Sequence, residues 1–242
     1  MAKTAGILII GNEVLSGKVA DENSPYLARE LRALGVEVQR ITTIPDDAAV
    51  IAEEVRVFSG RYDLVFTTGG IGPTHDDVTI AAVATAFGRD VVRHPKLEGV
   101  LRRHYGEGIT TAQLRMAEIP EGGELAGEGD MAFPVVTFRN VYIFPGIPEA
   151  VRRKFERIRE RFREQPYVLR RVFLRCDEGE IAEDLTQVLS RFGGLQLGSY
   201  PILHAPDHNV VLTLESKSAE EVEQALRLLL DRLPAQAVVR VE

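Results

Sequence analysis

The residues with the clearest chemical potential lie in one short segment, Thr67–Thr79, with the sequence TTGGIGPTHDDVT. Its informative residues are three glycines and two acids: Gly69, Gly70, Gly72, Asp76 and Asp77. Glycines let backbone N–H groups approach an anion, and the N-terminus of a following helix favours negative charge. Two acids beside a bound phosphate would repel it unless a divalent cation lay between them. The segment therefore predicts a phosphate site with a hard cation such as Mg²⁺ or Mn²⁺.

The two aspartates also have a purely structural explanation. Asp is a common helix N-cap, so Asp76 alone could begin the helix whose apolar stripe contains Ile80 and Val83. For either aspartate taken singly, capping is the better explanation. The glycines and the position after a strand shift the balance towards a functional site.

The elements that must position this segment alternate regularly. Apolar runs at residues 5–10, 36–44 and 63–68 are typical of buried strands, and amphipathic stretches between them predict helices. This order specifies an α/β fold with a parallel sheet and right-handed crossovers. Ligands of such sheets bind beyond the carboxyl ends of the strands. Three loops emerge there, and all carry carboxylates: Gly11–Asn23, Pro45–Asp47 and Gly69–Thr79.

The rest of the chain divides at Pro166. Before it, residues 133–138 and 141–144 predict a strand pair, and residues 148–164 predict a helix with seven Lys and Arg among four Glu on a solvated, salt-bridged surface. After it, the order β-α-β-β-α-β is the ferredoxin-like pattern. We therefore predict two domains, 1–165 and 166–242.

Composition excludes several classes of protein. A net charge of −7 argues against nucleic acid as a partner, because binding to it is driven by basic surface. The sequence contains no apolar run long enough for a signal peptide or a membrane span. The single cysteine, Cys176, excludes an internal disulfide and is expected to be a buried, inert thiol. A cytoplasmic location is expected.

Familiar catalytic and phosphate motifs are missing. Gly11–Lys18 resembles a P-loop, but its spacing is one residue too long and Val19 replaces the required Ser or Thr. The sequence has neither the dinucleotide fingerprint nor a nucleophile elbow. The stretch His204–His208 contains a proline and reads as a hairpin loop, which disfavours a metal site.

Taken together, these motifs resemble the MoaB/Mog molybdopterin-binding family. The resemblance rests on TTGGIGPTHDDVT, on Asp46 after Pro45, and on a first-loop pattern formed by Gly11, Glu13, Leu15, Gly17, Asp21 and Asn23. It is strongest to the branch that contains the N-terminal domain of CinA and the molybdopterin-binding-like domain of eukaryotic FAD synthetases. Four further segments resemble the same branch: His94–Glu98, Arg139–Tyr142, Phe144–Glu149 and Leu197–Pro201.

This resemblance implies a three-layer MoaB/Mog-like domain that binds a small nucleotide or pterin phosphate. In the Mog branch, the aspartates matching Asp46 and Asp77 serve adenylyl or molybdate transfer. In the CinA branch, the fold is associated with metal-dependent hydrolysis of the pyrophosphate in ADP-ribose or FAD. We rank this hydrolysis first. The alternatives are binding of molybdopterin or a nucleotide without turnover, and a degenerate regulatory module, which the intact pair of aspartates disfavours.

Under this ranking, Asp46, Asp77 and Glu13 are the expected catalytic residues. Asp46, Asp76 and Asp77 are the expected ligands of Mg²⁺, Mn²⁺ or Co²⁺. The expected phosphate- and nucleotide-binding residues are Gly11, Ser16, Gly17, Asp21, Asn23, Thr68, Gly69, Gly70, Gly72, Thr79, Pro145 and Gly146. Relatives of this type form dimers or trimers, so a homo-oligomer is expected, with neither nucleic acid nor a membrane as a partner.

Overall fold

The structure is a computed structural model that describes residues 2–127 and 133–242. The chain forms two units, of which the first ends at Glu164 and the second begins at Gln165. Within the described residues, no helix is long and apolar enough to cross a membrane.

The first unit alternates strands and helices, as the sequence predicts. Its strands are Thr4–Ile10 (β1), Glu37–Ile44 (β2), Leu64–Thr68 (β3), Val91–Arg93 (β4), Glu118–Pro120 (β5), Glu124–Ala126 (β6), Val135–Phe138 (β7) and Val141–Phe144 (β8). Its helices are Asn12–Leu15 (α1), Asn23–Ala33 (α2), Ala48–Arg61 (α3), Thr79–Ala86 (α4), Pro95–Tyr105 (α5), Thr111–Arg115 (α6) and Pro148–Ile158 (α7). Helix α7 is shorter than predicted, because a 3₁₀ turn over Arg159–Phe162 replaces its last turn.

The main sheet has the strand order β2-β1-β3-β8-β7-β6. Strands β2, β1, β3 and β8 run parallel, whereas β7 is antiparallel to β8 and β6 is antiparallel to β7. The predicted parallel sheet is therefore confirmed for four strands, and the hairpin of β7 and β8 makes the whole sheet mixed. The carboxyl ends of the four parallel strands line one edge, which we call the carboxyl edge.

Two cores cover the two faces of this sheet, and β1 shows why. Its side chains alternate, so Leu8 and Ile10 pack in one core with α3, α4 and α5. Ile7 and Ile9 pack in the other core with α2 and α7. All four side chains are buried, as the continuous apolar run predicts. The unit is thus a three-layer α/β sandwich.

Helix α7 presents a salt-bridged outer surface, as expected, with one exception. Arg152 of α7 pairs with Glu22 before α2, and Arg159 of the following 3₁₀ turn pairs with Glu30 of α2. Lys154 instead is only 7% exposed, and its ammonium group donates to the carbonyls of Phe133 and Pro134. Burial lowers the pKa of Lys154 to about 8. The prediction that Lys154 lies on the solvated surface of this helix is therefore wrong.

The second unit has the predicted order of elements. Its strands are Val168–Leu174 (β9), Gln196–Pro201 (β10), Val210–Ser216 (β11) and Val238–Val241 (β12), and its helices are Glu178–Leu189 (α8) and Ala219–Arg232 (α9). The sheet order is β10-β11-β9-β12, and every neighbouring pair is antiparallel. This order and these directions are those of a ferredoxin-like βαββαβ unit.

Two chemical groups of the second unit have structural roles. Cys176 is buried in the core of the unit, and burial raises the pKa of its thiol, as expected for an inert cysteine. The His204–His208 stretch joins β10 to β11, and the His208 ring lies 2.7 Å from the Asp207 carboxylate. Asp207 in turn binds Arg240.

Candidate functional site

The first two loops of the carboxyl edge are joined directly. The backbone N–H of Gly11 donates to the carbonyl of Ile44 over 3.1 Å. The N–H of Asn12 donates to Oδ2 of Asp46 over 2.8 Å. This bond fixes the Asp46 carboxylate through one oxygen and leaves the other oxygen available to a ligand.

Glu13 lies beside this junction on the one-turn helix α1, which is too short for its pattern to show in the sequence. A Cβ atom at Gly11 would lie 2.5 Å from Oε1 of Glu13, so the absence of a side chain makes room for the carboxylate. Ser16 donates its hydroxyl to the Glu13 carbonyl, and Gly17 has φ +71 where the chain leaves α1. Ser16 and Gly17 therefore shape the loop that presents Glu13.

Asp21 and Asn23 organise the end of the first loop. The Asp21 carboxylate accepts from the N–H groups of Asn23 and Ser24 over 2.9 and 3.0 Å, which ties it to the start of α2. The Asn23 side chain, 7% exposed, donates to the Gly146 carbonyl over 2.8 Å and reaches Thr68 Oγ1 at 3.5 Å. Asn23 thus connects the first loop to the loop after β8, which contains Pro145 and Gly146.

The glycine loop that follows β3, residues 69–72, is fixed by hydrogen bonds from Thr79. The buried Thr79 hydroxyl donates to the Gly69 carbonyl over 2.9 Å, and the Thr79 N–H donates to the Gly70 carbonyl over 3.0 Å. Gly69 and Gly70 have φ +106 and +63, which favour glycine. A Cβ at Gly69 would lie 2.0 Å from the carbonyl oxygen of Ile10. No side chain fits at this position.

The structure corrects the capping alternative for Asp76 and Asp77. Helix α4 begins at Thr79, its N-cap is Val78, and no side chain caps it. Instead, Oδ2 of Asp77 accepts from the N–H and the hydroxyl of Thr74 over 2.7 and 2.6 Å. A Cβ at Gly72 would lie 2.6 Å from the same oxygen, which explains a glycine there.

Thr74 is the site residue that sequence reasoning missed. Besides holding Asp77, its hydrogen bond lowers the pKa of the Asp76 carboxyl below its ordinary value, and the Asp76 backbone N–H adds to this shift. The spacing Thr-x-x-Asp, which is typical of reciprocal side-chain and backbone bonds, could have indicated this role. Asp76 itself is exposed, and its Oδ1 lies 3.8 Å from Nδ1 of His75.

The electrostatics of the carboxyl edge are mixed. Helices α4 and α7 begin there without a side-chain cap, so their first N–H groups favour an anion. Helix α3 differs, because the Asp47 carboxylate caps it through the N–H groups of Ala49 and Val50. The positive ends of two helix dipoles therefore lie at the same edge as the carboxylates of Asp46 and Asp77.

The donor set was predicted to hold a metal through Asp46, Asp76 and Asp77. In the described part of the chain, no three His, Cys, Asp or Glu side chains are gathered into a metal site. A preformed three-carboxylate centre is therefore not assembled. The arrangement does fit Mg²⁺, which is commonly held by one or two carboxylates, by water and by the phosphates of the ligand.

Comparisons with known proteins agree with this architecture. Residues 6–164 match the sequence model of the family described as "Probable molybdopterin binding domain". The chain belongs to this molybdopterin-binding-domain family. Residues 166–242 match the model described as "FAD synthase, middle domain". The predicted resemblance to the MoaB/Mog and FAD synthetase type is therefore confirmed.

Relatives of this molybdopterin-binding-domain protein include a probable FAD synthase and a CinA-like protein. A probable FAD synthase from Caenorhabditis elegans is 32% identical over 98% of this chain and 51% of its own length. A CinA-like protein from Syntrophus aciditrophicus is 33% identical over 98% of this chain and 59% of its own length. The crystal structure of CinA from Thermoplasma acidophilum has a TM-score of 0.62 and 28% identity over 66% of this chain and 98% of its own. The chain thus spans little more than half of the two curated relatives.

Because Gly69 lies so close to β1, we expect alanine to destabilise the fold more at position 69 than at Gly88. Gly88 also has a positive φ, +62, but nothing lies within 4 Å of its Cβ position. We expect Gly88→Ala to lower the free energy of unfolding by about 1 kcal/mol, from backbone strain alone. Gly69→Ala should lower it by about 1–3 kcal/mol more, because of the clash. Urea unfolding of both variants measures the difference, and equal losses would contradict the described packing.

The Thr74 contact predicts a change in the ionisation of Asp76. Because the folded-state pKa is lowered, the contact stabilises the fold above about pH 4 and is lost as the pH falls through the folded-state pKa. We expect Thr74→Val to raise the pKa of Asp76 towards its ordinary value, and Thr74→Ser to preserve the lowered value. Carboxyl ¹³C NMR titration measures this, and an unchanged pKa in Thr74→Val would show that Thr74 does not hold Asp76.

Proposed function

We propose that this protein binds an ADP-containing nucleotide at the carboxyl edge and hydrolyses its pyrophosphate with a divalent metal. The proposal rests on one observation: the carboxyl edge combines a glycine loop, which suits phosphate, with carboxylates, which suit a cation. The glycine loop lies at the same edge of the sheet as two carboxylates, Asp46 and Asp77, each of which accepts hydrogen bonds through one oxygen. Such a pairing suits a phosphate and a cation together.

The phosphates would bind to the amides of residues 70–72, because the Gly69 N–H already donates to the Phe144 carbonyl over 3.1 Å. The uncapped start of α4 would add a favourable field. Thr79 and Asn23 act indirectly, because their side chains hold the loop and its neighbours in place. Thr68, Pro145 and Gly146 belong to the same support. A rigid support matters here, since preorganised donors stabilise charge without a cost of reorganisation during the reaction.

The metal would be held by Asp46 and Asp77 together with phosphate oxygens, and Asp76 would attract it through its charge. A bound divalent cation offsets the negative charge that develops on the phosphates. Glu13, which projects from α1 beside Gly11, would orient the attacking water. Water attacks one phosphorus, the bridging P–O bond breaks, and each product leaves as a phosphate monoester. ADP-ribose would give AMP and ribose 5-phosphate, and FAD would give AMP and FMN.

Two names among the relatives support a nucleotide as the ligand, since one relative is a probable FAD synthase and another is CinA-like. A second candidate function is binding of a nucleotide or molybdopterin without turnover. The lack of a three-ligand metal cluster in the described residues favours it specifically. Assembly into a dimer or trimer stays a prediction under both functions.

Two adjacent aspartates provide a matched test of hydrolysis. Asp46 faces the site, whereas Asp47 caps α3. With ADP-ribose or FAD and Mg²⁺, Mn²⁺ or Co²⁺, we expect the wild type to release AMP and Asp46→Asn to lose at least about 100-fold in rate, a typical effect of losing an electrostatic catalytic group. Asp47→Asn should keep its rate, because Asn also caps helices. Chromatography of the nucleotides measures the products.

Three outcomes of this experiment differ in meaning. Release of AMP that needs the metal and Asp46 supports hydrolysis. Binding of ADP without release of AMP under any metal supports the second candidate. An equal loss in Asp46→Asn and Asp47→Asn would show that the effect is structural, and it would remove Asp46 from the proposed chemistry.

A further inference from the structure

Three apolar side chains at the carboxyl edge are unusually exposed. In the described part of the first unit, the most exposed large hydrophobic residues are Ile147 at 64%, Leu15 at 51% and Val19 at 51%. Leu15 ends α1, Val19 lies on the same loop, and Ile147 is the N-cap residue of α7 after β8. We call these three residues the apolar rim.

The two loops that carry the apolar rim are fastened to each other. Ile147 directly follows Gly146, whose carbonyl accepts from the Asn23 side chain at the end of the first loop. Arg152 of α7 adds an ion pair to Glu22 at 2.9 Å. Val19 is folded back onto α1 by a hydrogen bond from its N–H to the Glu13 carbonyl. The apolar rim therefore belongs to the same group of loops as Glu13 and the glycine loop.

Among the residues that the structure describes in this unit, no packing accounts for the apolar rim. None of its three residues belongs to either core. Their neighbours along the chain include Ser16, Lys18 and Gly146. Exposed apolar side chains that gather beside a polar site are typical of ligand sites, where a few polar groups orient a ligand and apolar surface holds the rest.

We propose that the apolar rim holds the planar heteroaromatic ring of the nucleotide whose phosphates bind to the glycine loop. This inference rests on the proposed function and names a second part of the same site. An uncharged ring suits this part, because the first loop bears the carboxylates of Glu13 and Asp21, which would repel a second phosphate, whereas Glu22 is paired with Arg152. A second copy of the chain is the alternative occupant, and the mass of the protein in solution, measured by light scattering, separates the two.

ADP contains a nucleoside and inorganic pyrophosphate does not. Comparing the two ligands therefore separates binding of the ring from binding of the phosphates. We propose measuring the dissociation constants of ADP and of inorganic pyrophosphate by calorimetry, each with Mg²⁺, for the wild type, Ile147→Ala and Leu15→Ala. Ile147 is the N-cap residue of α7. Because alanine introduces no hydroxyl group that could cap this helix, we expect Ile147→Ala to leave the phosphate site unchanged. Val57→Ala is the matched control, since Val57 is 41% exposed on α3 away from these loops.

We expect Ile147→Ala to weaken ADP binding about tenfold, the effect of removing two or three buried carbons, and to leave pyrophosphate binding within about twofold. Leu15→Ala should do the same, and Val57→Ala should change neither ligand. Equal weakening of both ligands, or of neither, would overturn the inference while leaving the phosphate site intact.

Two further outcomes are decisive. If the wild type binds neither ADP nor pyrophosphate, the proposed function fails and this inference fails with it. If Ile147→Ala binds ADP like the wild type but changes the mass measured by light scattering, the apolar rim is a contact between copies of the chain. Thermal unfolding of each variant, expected to match the wild type because these side chains are exposed, confirms that folding is unaffected.

Discussion

At Gly69, the backbone passes so close to the end of β1 that the Ile10 carbonyl occupies the place of a side chain. This approach brings the loop after β3 against the end of the neighbouring strand, where Gly11 and Asn12 begin the first loop. The N–H of Asn12 then holds Asp46 of the second loop. Thr79 secures the glycine loop from below. The four loops of the carboxyl edge therefore form one hydrogen-bonded assembly that depends on a glycine at position 69.

Different parts of this assembly offer different chemistry. The glycine loop and the uncapped helix starts offer N–H groups, whereas Asp46, Asp77 and Glu13 offer carboxylates. The apolar rim offers hydrocarbon surface. A nucleoside diphosphate with a bound cation matches each of these groups. Its phosphate oxygens suit the N–H groups, its metal suits the carboxylates, and its ring suits the apolar rim. The second unit does not contribute these groups, and its ferredoxin-like sheet is built around its own core.

The sequence predicted the features that depend on local pattern. Strand β1, for example, is buried on both faces, so its apolar run is continuous. Strands β4, β5 and β6 were missed because three residues are too few to show a period. The burial of Lys154 was missed because its partners are backbone carbonyls distant in sequence, and these leave no trace in the pattern of α7.

The same limits apply to the candidate site. The glycines and acids could be found because their types are informative wherever they lie. The role of Asp77 depends on Thr74, and that of Asp46 on the Asn12 N–H, which are contacts that only the folded loops create. The misplaced start of α4 has the same origin, because Asp is a good cap in general but Asp77 is already bound to Thr74.

The central claim is that the glycine loop of the carboxyl edge is the ligand site. Chemical-shift mapping of backbone amides during titration with ADP and Mg²⁺ tests it most directly. We expect saturable shifts at Gly69, Gly70 and Gly72 and at their neighbours Asn12 and Gly146, with small changes in the ferredoxin-like unit. Shifts confined to that second unit, or no saturable shifts in the glycine loop, would contradict it.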